Sequence, residues 1–121
     1  MAKLVADAVL DAALDEIAEA NLMVALPSEP ASYAAAQSAK LAEVAMAGGD
    51  FTKANGDTSG RKTTVAAKAG VTVLTPGTAT HVALLDTANS VLLYVTTTAS
   101  TSLPAGTVDF GSWAIEIRDP A

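Results

Sequence analysis

Apolar and polar positions change their period near residue 50. In the first part, Leu10, Leu14 and Ile17 fall at i, i+4 and i+7, with Val9 and Ala13 beside them. That spacing predicts a helix from about Lys3 to Ala20. Asp7, Asp11, Asp15 and Glu19 repeat at four-residue spacing and make an acidic stripe off the apolar face. Like charges at i,i+4 destabilise a lone helix, so this helix is expected to depend on docking, and the first twenty residues to be partly disordered in isolation. The stripe reads first as a solvated face and second as a site for a cation or a basic partner. Asn21 is a plausible stop. Leu22-Met23-Val24-Ala25-Leu26 is an unbroken apolar run ending at Pro27-Ser28-Glu29-Pro30, which predicts a buried strand of five residues. Ser32 is placed to cap a second helix from Tyr33. Ala34 to Ala47 has helix composition throughout, while Leu41 to Met46 equally suits a strand ending at Gly48-Gly49.

Beyond residue 50 the period shortens. Phe51 to Gly60 reads as loop, with Asn55-Gly56-Asp57 and Ser59-Gly60 as turn chemistry. Strands are expected at Lys62–Ala67, Val71–Leu74, Thr78–Leu85, Val91–Thr97 and Thr107–Arg118. Between them lie Ala69-Gly70, Thr75-Pro76-Gly77, Asp86 to Ser90, and a longer loop from Thr101 to Gly106. In the last strand Val108 and Phe110 have one parity, and Trp113, Ile115 and Ile117 the other. Gly111-Ser112 sits at the switch, the mark of a bulge or bend. The expected architecture is α+β, an N-terminal helix (or two) packed with a small antiparallel β-sandwich or rolled sheet.

Composition sharpens this division. All fourteen threonines lie at or after Thr52, and sixteen of the twenty-seven alanines at or before Ala47. Residues 1–51 carry eight acids and two bases; residues 52–121 carry five of each, so the whole net charge of −6 resides in the first part. At 121 residues both parts belong to one expected domain, residues 1–121. The acidic balance disfavours nucleic acid as a partner. With no cysteine and one histidine, the chain has no disulfide, no thiolate metal site and no multi-histidine site of its own. No apolar run approaches the ~20 residues of a membrane-spanning helix, and Asp7, Asp11 and Asp15 interrupt any signal-peptide core, so neither a membrane partner nor a signal peptide is expected.

Candidate chemistry is sparse. His81 shares strand parity with Ala79, Ala83 and Leu85 and reads as structural rather than as a general base. Asp57-Thr58-Ser59-Gly60-Arg61-Lys62 lacks the glycine spacing and following helix of a phosphate loop. It reads as a turn with two surface bases, or as a source of salt bridges from Arg61 or Lys62 to carboxylates of a neighbouring subunit, such as the acidic helix face. Glu116 and Arg118 share a face of the last strand and suit cross-strand pairing. Five aromatics are too few to favour a sugar-processing carboxylate pair. Trp113 reads as core, with an interface anchor as the other reading; Tyr33 is similar.

Five phrases taken in order add a resemblance. Leu10-Asp11-Ala12-Ala13-Leu14, Pro27-Ser28-Glu29-Pro30 with Tyr33, Asp57 to Lys62, Gly77-Thr78-Ala79-Thr80-His81, and Ile115-Glu116-Ile117-Arg118-Asp119-Pro120 span nearly the whole chain. Together they resemble a family of small structural proteins encoded among the virion genes of tailed bacteriophages and prophages. Members often carry cysteine or histidine in the early strand, where this chain has Leu22-Met23-Val24-Ala25; that departure does not affect a structural role. The resemblance implies a virion component, with no enzymatic residue carried over and no cofactor. The leading expectation is a capsid decoration or cement protein on the capsid exterior, bound to the major capsid protein and to neighbouring copies of itself as a homo-oligomer. Its expected contacts are Leu4, Val5, Phe51, Arg61 and Lys62. A tail or fibre-attachment module, using a loop at 98–106, is the alternative. A small hydrolase would need polar groups converging in a pocket, and the sequence offers His81 and scattered carboxylates.

Overall fold

The computed structural model describes residues 5–119. Its architecture is mostly antiparallel sheet with two short helices, richer in strand than the sequence pattern predicts. Helix α1 spans Asp7–Ile17, strand β1 Leu22–Leu26, helix α2 Tyr33–Ala39 and strand β2 Ala42–Ala45. A single 3-10 turn, Gly48–Asp50, leads into β3 (Phe51–Asn55), β4 (Arg61–Val65) and β5 (Lys68–Thr72). Then come β6 (Gly77–Asp86), β7 (Val91–Leu103), β8 (Thr107–Phe110) and β9 (Trp113–Ile117). They form a four-stranded sheet in the order β2-β1-β6-β7, a three-stranded sheet β3-β4-β9 and a two-stranded ribbon β5-β8.

β1, at the centre of the four-stranded sheet, is buried on both faces, which explains its unbroken apolar run. One face carries Val24, Leu26, Ala83 and Leu85 and is covered by Ala36 of α2, with Tyr33 at the margin. Ser32 starts that helix by accepting a 3.2 Å hydrogen bond from the Ala35 amide. The other face carries Met23 and Leu84, which meet Leu14 of α1 and Val65 and Ile115 of the three-stranded sheet. Further along that face, Ala25 and Ala79 pack with Val71, Val73 and Leu103 against the ribbon.

Several expected elements change. Helix α1 is shorter than Lys3–Ala20 and docks through Leu10 and Leu14. At Lys40 the backbone leaves the helical region (ψ 135°), and residues 42–45 become a strand rather than a continuation of α2. The reason is that β1 needs a backbone partner on that side; β2 supplies it, with Met23 opposite Val44 and Ala25 opposite Ala42. Phe51–Asn55, expected as loop, is a strand paired with β4, so the loop shrinks to residues 56–60. Ala69-Gly70 is not a turn but an irregularity within β5, where Gly70 takes φ +66° and the register with β8 shifts. Strand β7 runs on to Leu103, opposite Gly77, through residues expected to be loop. The final strand is two strands: β8 pairs with β5, β9 with β4. The crossing falls at Gly111-Ser112, where Ser112 Oγ donates to the Val65 carbonyl at 3.1 Å. The parity switch therefore marks a change of sheet rather than a bulge in one.

Candidate functional site

The densest polar arrangement lies where α1, the β3–β4 hairpin and the end of β9 meet. Alternation in β4 turns Arg61, Thr63 and Val65 toward α1 and leaves Lys62 and Thr64 on the other face. Arg61 Nε donates to Asp11 Oδ1 at 2.8 Å, and its Nη1 donates to Asn55 Oδ1, also at 2.8 Å. Lys53, on the same face of β3, reaches Asp15 Oδ1 at 2.7 Å. Thus two members of the acidic stripe are met by bases of the same chain. Donating to the Asp11 carboxylate raises the pKa of the Arg61 guanidinium above its ordinary value, and the charges of Asp11 and Asp7 add to this. Thr63, beneath α1, is fully buried and its Oγ1 has no hydrogen-bond partner.

Loop 56–60 is tied to β9 by Glu116. Its Oε1 accepts from the amides of Asp57 and Thr58, and its Oε2 accepts from Arg118 Nε at 2.7 Å. These bonds, Arg118 first, hold the Glu116 carboxyl below the ordinary range. The Asp119 amide donates to Ser59 Oγ at 3.1 Å, and Lys62 Nζ reaches Asp57 Oδ1 at 2.7 Å. Gly60 sits at φ +68°, and a Cβ there would lie 2.0 Å from the Ile117 carbonyl oxygen. Only glycine permits that approach. A second tie joins the start of β3 to β5: Asp50 accepts from Lys68 Nζ at 2.9 Å and from the Ala47 amide at 2.8 Å. Both bonds lower the Asp50 pKa, the one from Lys68 more.

A cleft of about 410 Å³ opens on the far side of the core. Ala25, Ala79, Val82 and Leu103 line its apolar part; β7 and the β8–β9 crossing supply its walls. Trp113 lines it and stacks on Tyr94 with centroids 5.8 Å apart, so the tryptophan is packed against the core while bordering an open space. His81 is elsewhere. The ladder between β6 and β7 shifts between Ala79 and His81, which separates the two residues expected to share a face; His81 lies opposite Leu26, with its Nδ1 2.9 Å from Thr80 Oγ1.

Of the expected contact residues, Leu4 lies outside the described residues and Val5 is half-buried. Phe51 packs against the core. Arg61 and Lys62 sit three residues or fewer from loop 56–60 in sequence, but their carboxylate partners, Asp11 and Asp57, are in their own chain. Glu116 lies opposite Lys62 in the ladder, yet its carboxylate is taken by Arg118 and the loop amides rather than by a cross-strand pair. The sequence reading missed the β3–β4 hairpin that brings Lys53 and Arg61 onto one face. The signal was Asn55-Gly56 between two alternating runs.

Among the described residues, no group of three or more acids and histidines is placed to hold a metal ion, and no helix is long and apolar enough to cross a membrane. Comparison with protein-family models, curated proteins and solved structures finds no match.

Proposed function

We propose that this chain is a bacteriophage virion structural protein, a capsid decoration or cement protein that binds and stabilises the shell of the major capsid protein. The observation that carries the reading is where the five phrases of the resemblance fall. Asp11 of the first meets Arg61 of the third. The third meets the fifth through Glu116 and Ser59. The second meets the fourth, since Thr80 Oγ1 donates to the Pro27 carbonyl at 2.8 Å. Each phrase is spent on joining one element to another. Residues that carry a family resemblance by fixing junctions suit a rigid module used in many copies. On a symmetric shell, many weak contacts of this kind add up by avidity. The tail reading relied on a loop at 98–106, most of which is strand β7, and it loses that support.

The test is copy number. Particles are purified and this chain is quantified against the major capsid protein by mass spectrometry. A ratio near one, or a simple fraction such as a third, is the expected result. A few copies per particle would move the protein to the tail or portal, and absence from the particle would overturn the virion reading altogether.

A further inference from the structure

The cleft beside Trp113 is bounded by strands whose outer edges have no partner among the described residues. β7 ends the four-stranded sheet, β9 ends the three-stranded sheet, and β8 has a neighbour on one side alone. All three contribute to the cleft: Thr96, Thr98 and Thr101 from β7, Phe110 from β8, Trp113 from β9. Free strand edges offer backbone donors and acceptors in a row, which is the recognition surface for another extended chain.

β7 departs from regular pairing at this place. From Ala79 to His81, β6 advances two residues, while its partner advances four, from Thr97 to Thr101. Thr98, Ala99 and Ser100 are thereby left out of the ladder with β6, all exposed, and Thr98 lines the cleft. Bulges of this kind are over-represented beside binding sites, where they re-aim the backbone.

Charge sets the class of occupant. In a chain of net charge −6, residues 87–108 contain no charged residue. Asp109 is the one charged residue lining the cleft, and its Oδ1 already accepts from the Gly70 amide at 2.9 Å. The lining therefore offers an apolar floor, a hydroxyl rim and backbone edges, with a single carboxylate at its margin. The volume, about 410 Å³, lies within the range of ~300–1,000 Å³ usual for binding clefts.

We propose that this cleft is a docking site for an uncharged, extended peptide segment of a partner protein. The segment adds to an open strand edge and places alternate apolar side chains on Ala79, Val82 and Leu103. The proposal is independent of the virion reading, since any partner presenting such a segment satisfies it.

The full chain supplies its own reporter, because Trp113 is the one tryptophan of the sequence and lines the cleft. The probe is a blocked hexapeptide of alternating valine and threonine, followed by Trp113 fluorescence and by amide resonances. The expected result is saturable binding that shifts resonances of residues 96–101 and 108–114. Gly111 lines the cleft, and a Cβ there meets nothing within 4 Å, so Gly111→Phe starts from open space, adds bulk beside the cleft and is expected to abolish binding. Gly48→Phe, at another glycine where a Cβ meets nothing within 4 Å, is expected to bind normally. Circular dichroism and thermal melting check that both variants are folded. Absence of saturable binding to the parent chain would overturn the proposal. So would binding that survives Gly111→Phe, or equal binding of a peptide carrying lysine or glutamate at alternate positions. If octyl glucoside shifts these resonances and the peptide does not, the cleft takes small apolar molecules and the proposal again falls.

Discussion

β1 and β4 are both central strands, one in the four-stranded sheet and one in the three-stranded sheet, yet their sequences share almost nothing. β1 reads Leu-Met-Val-Ala-Leu because α2 covers one of its faces and the rest of the core covers the other. β4 reads Arg-Lys-Thr-Thr-Val because only the face toward α1 is covered, and even there Arg61 and Thr63 stand where apolar residues would fit. The first sheet is held by area removed from water, the second by directed polar ties to α1, to loop 56–60 and to Asp50. The two modes differ in what should break them. Burial fails when volume is removed, whereas ties fail when geometry, charge or protonation changes.

The largest effect is expected on the buried side of that comparison. Leu84 is fully buried opposite Met23 and touches the cluster shared by all the large layers. Leu84→Ala should cost about 2–5 kcal/mol, the range for deleting a core leucine with incomplete collapse, read as a lower urea midpoint. Gly60 comes next, on the tied side. With φ +68° and the Ile117 carbonyl oxygen 2.0 Å from a built Cβ, Gly60→Ala should cost about 2 kcal/mol or more, since both strain and clash oppose it. The same change at Gly48, where a Cβ meets nothing within 4 Å, should leave the midpoint nearly unchanged. If the two alanine variants melt alike, loop 56–60 is not the rigid joint described above.

What the sequence pattern made legible follows the same line. β1 is found to the residue, α2 begins where Ser32 predicts, and β6 runs one residue further at each end than expected. These elements form or cover the centre of the four-stranded sheet, where apolar runs carry the information. The misread stretches belong to edge strands, β2 and β7 in that sheet and β3 in the three-stranded one. β3 looks like loop because Phe51 and Lys53 alternate with small polar or weakly apolar residues. β2 reads equally as helix or strand because alanine suits both states, and the choice depends on β1's edge. The distal part of β7 looks like loop because Thr98 to Ser102 has no apolar alternation, being exposed on the sheet's rim. Of the candidate site, Arg61 and Lys62 were singled out as contacts to a neighbouring subunit, and each meets a carboxylate of its own chain. That Asp11 lies within reach required knowing how α1 folds back, which is a tertiary fact with no local signature. The cleft has none either, since its lining comes from five strands, β1, β6, β7, β8 and β9, and the crossing between the last two.

Two smaller effects test whether the polar side is optimised. Thr63 Oγ1 is buried without a partner, and an unsatisfied buried hydroxyl costs about 1–3 kcal/mol. Thr63→Val keeps the shape and β-branching and removes the hydroxyl, so it should stabilise the chain by about 1 kcal/mol, seen as a higher urea midpoint. A lower midpoint would mean that the hydroxyl is satisfied in solution. The Arg61–Asp11 pair should give a smaller, salt-dependent signal. In a double-mutant cycle of Arg61→Ala and Asp11→Ala, the coupling should be favourable at low ionic strength and fade as salt is added. A coupling that does not respond to salt would place the effect in the packing of the arginine stem rather than in the ion pair.

The smallest expected effect is also the one that separates the two modes most cleanly, because burial is indifferent to protons and ties are not. Glu116 is held below its ordinary pKa of 4.5 by Arg118 first and by the Asp57 and Thr58 amides after it. Asp50 is held below 3.8 by Lys68 and the Ala47 amide, and Asp86 below 3.8 by the side chain of Asn89 and then by the amides of Asn89 and Ala88. Each folded-state value lies under the unfolded one, so the stability they contribute is complete above the ordinary carboxylate range. It is lost as pH falls through the depressed values. The urea midpoint should therefore be level from neutral pH down to that range and then decline. Glu116→Gln removes the charge that Arg118 and the loop amides favour, while keeping an oxygen for the amides to reach. Its curve should start slightly lower at neutral pH and approach that of the parent in acid, where the parent's Glu116 is itself protonated. Leu84→Ala should instead lower the whole curve without changing its shape, because the volume it removes lies in an apolar cluster. If Glu116→Gln runs parallel to the parent down through the acid limb, the tie between β9 and loop 56–60 contributes through shape alone, and the contrast between the two sheets narrows to packing.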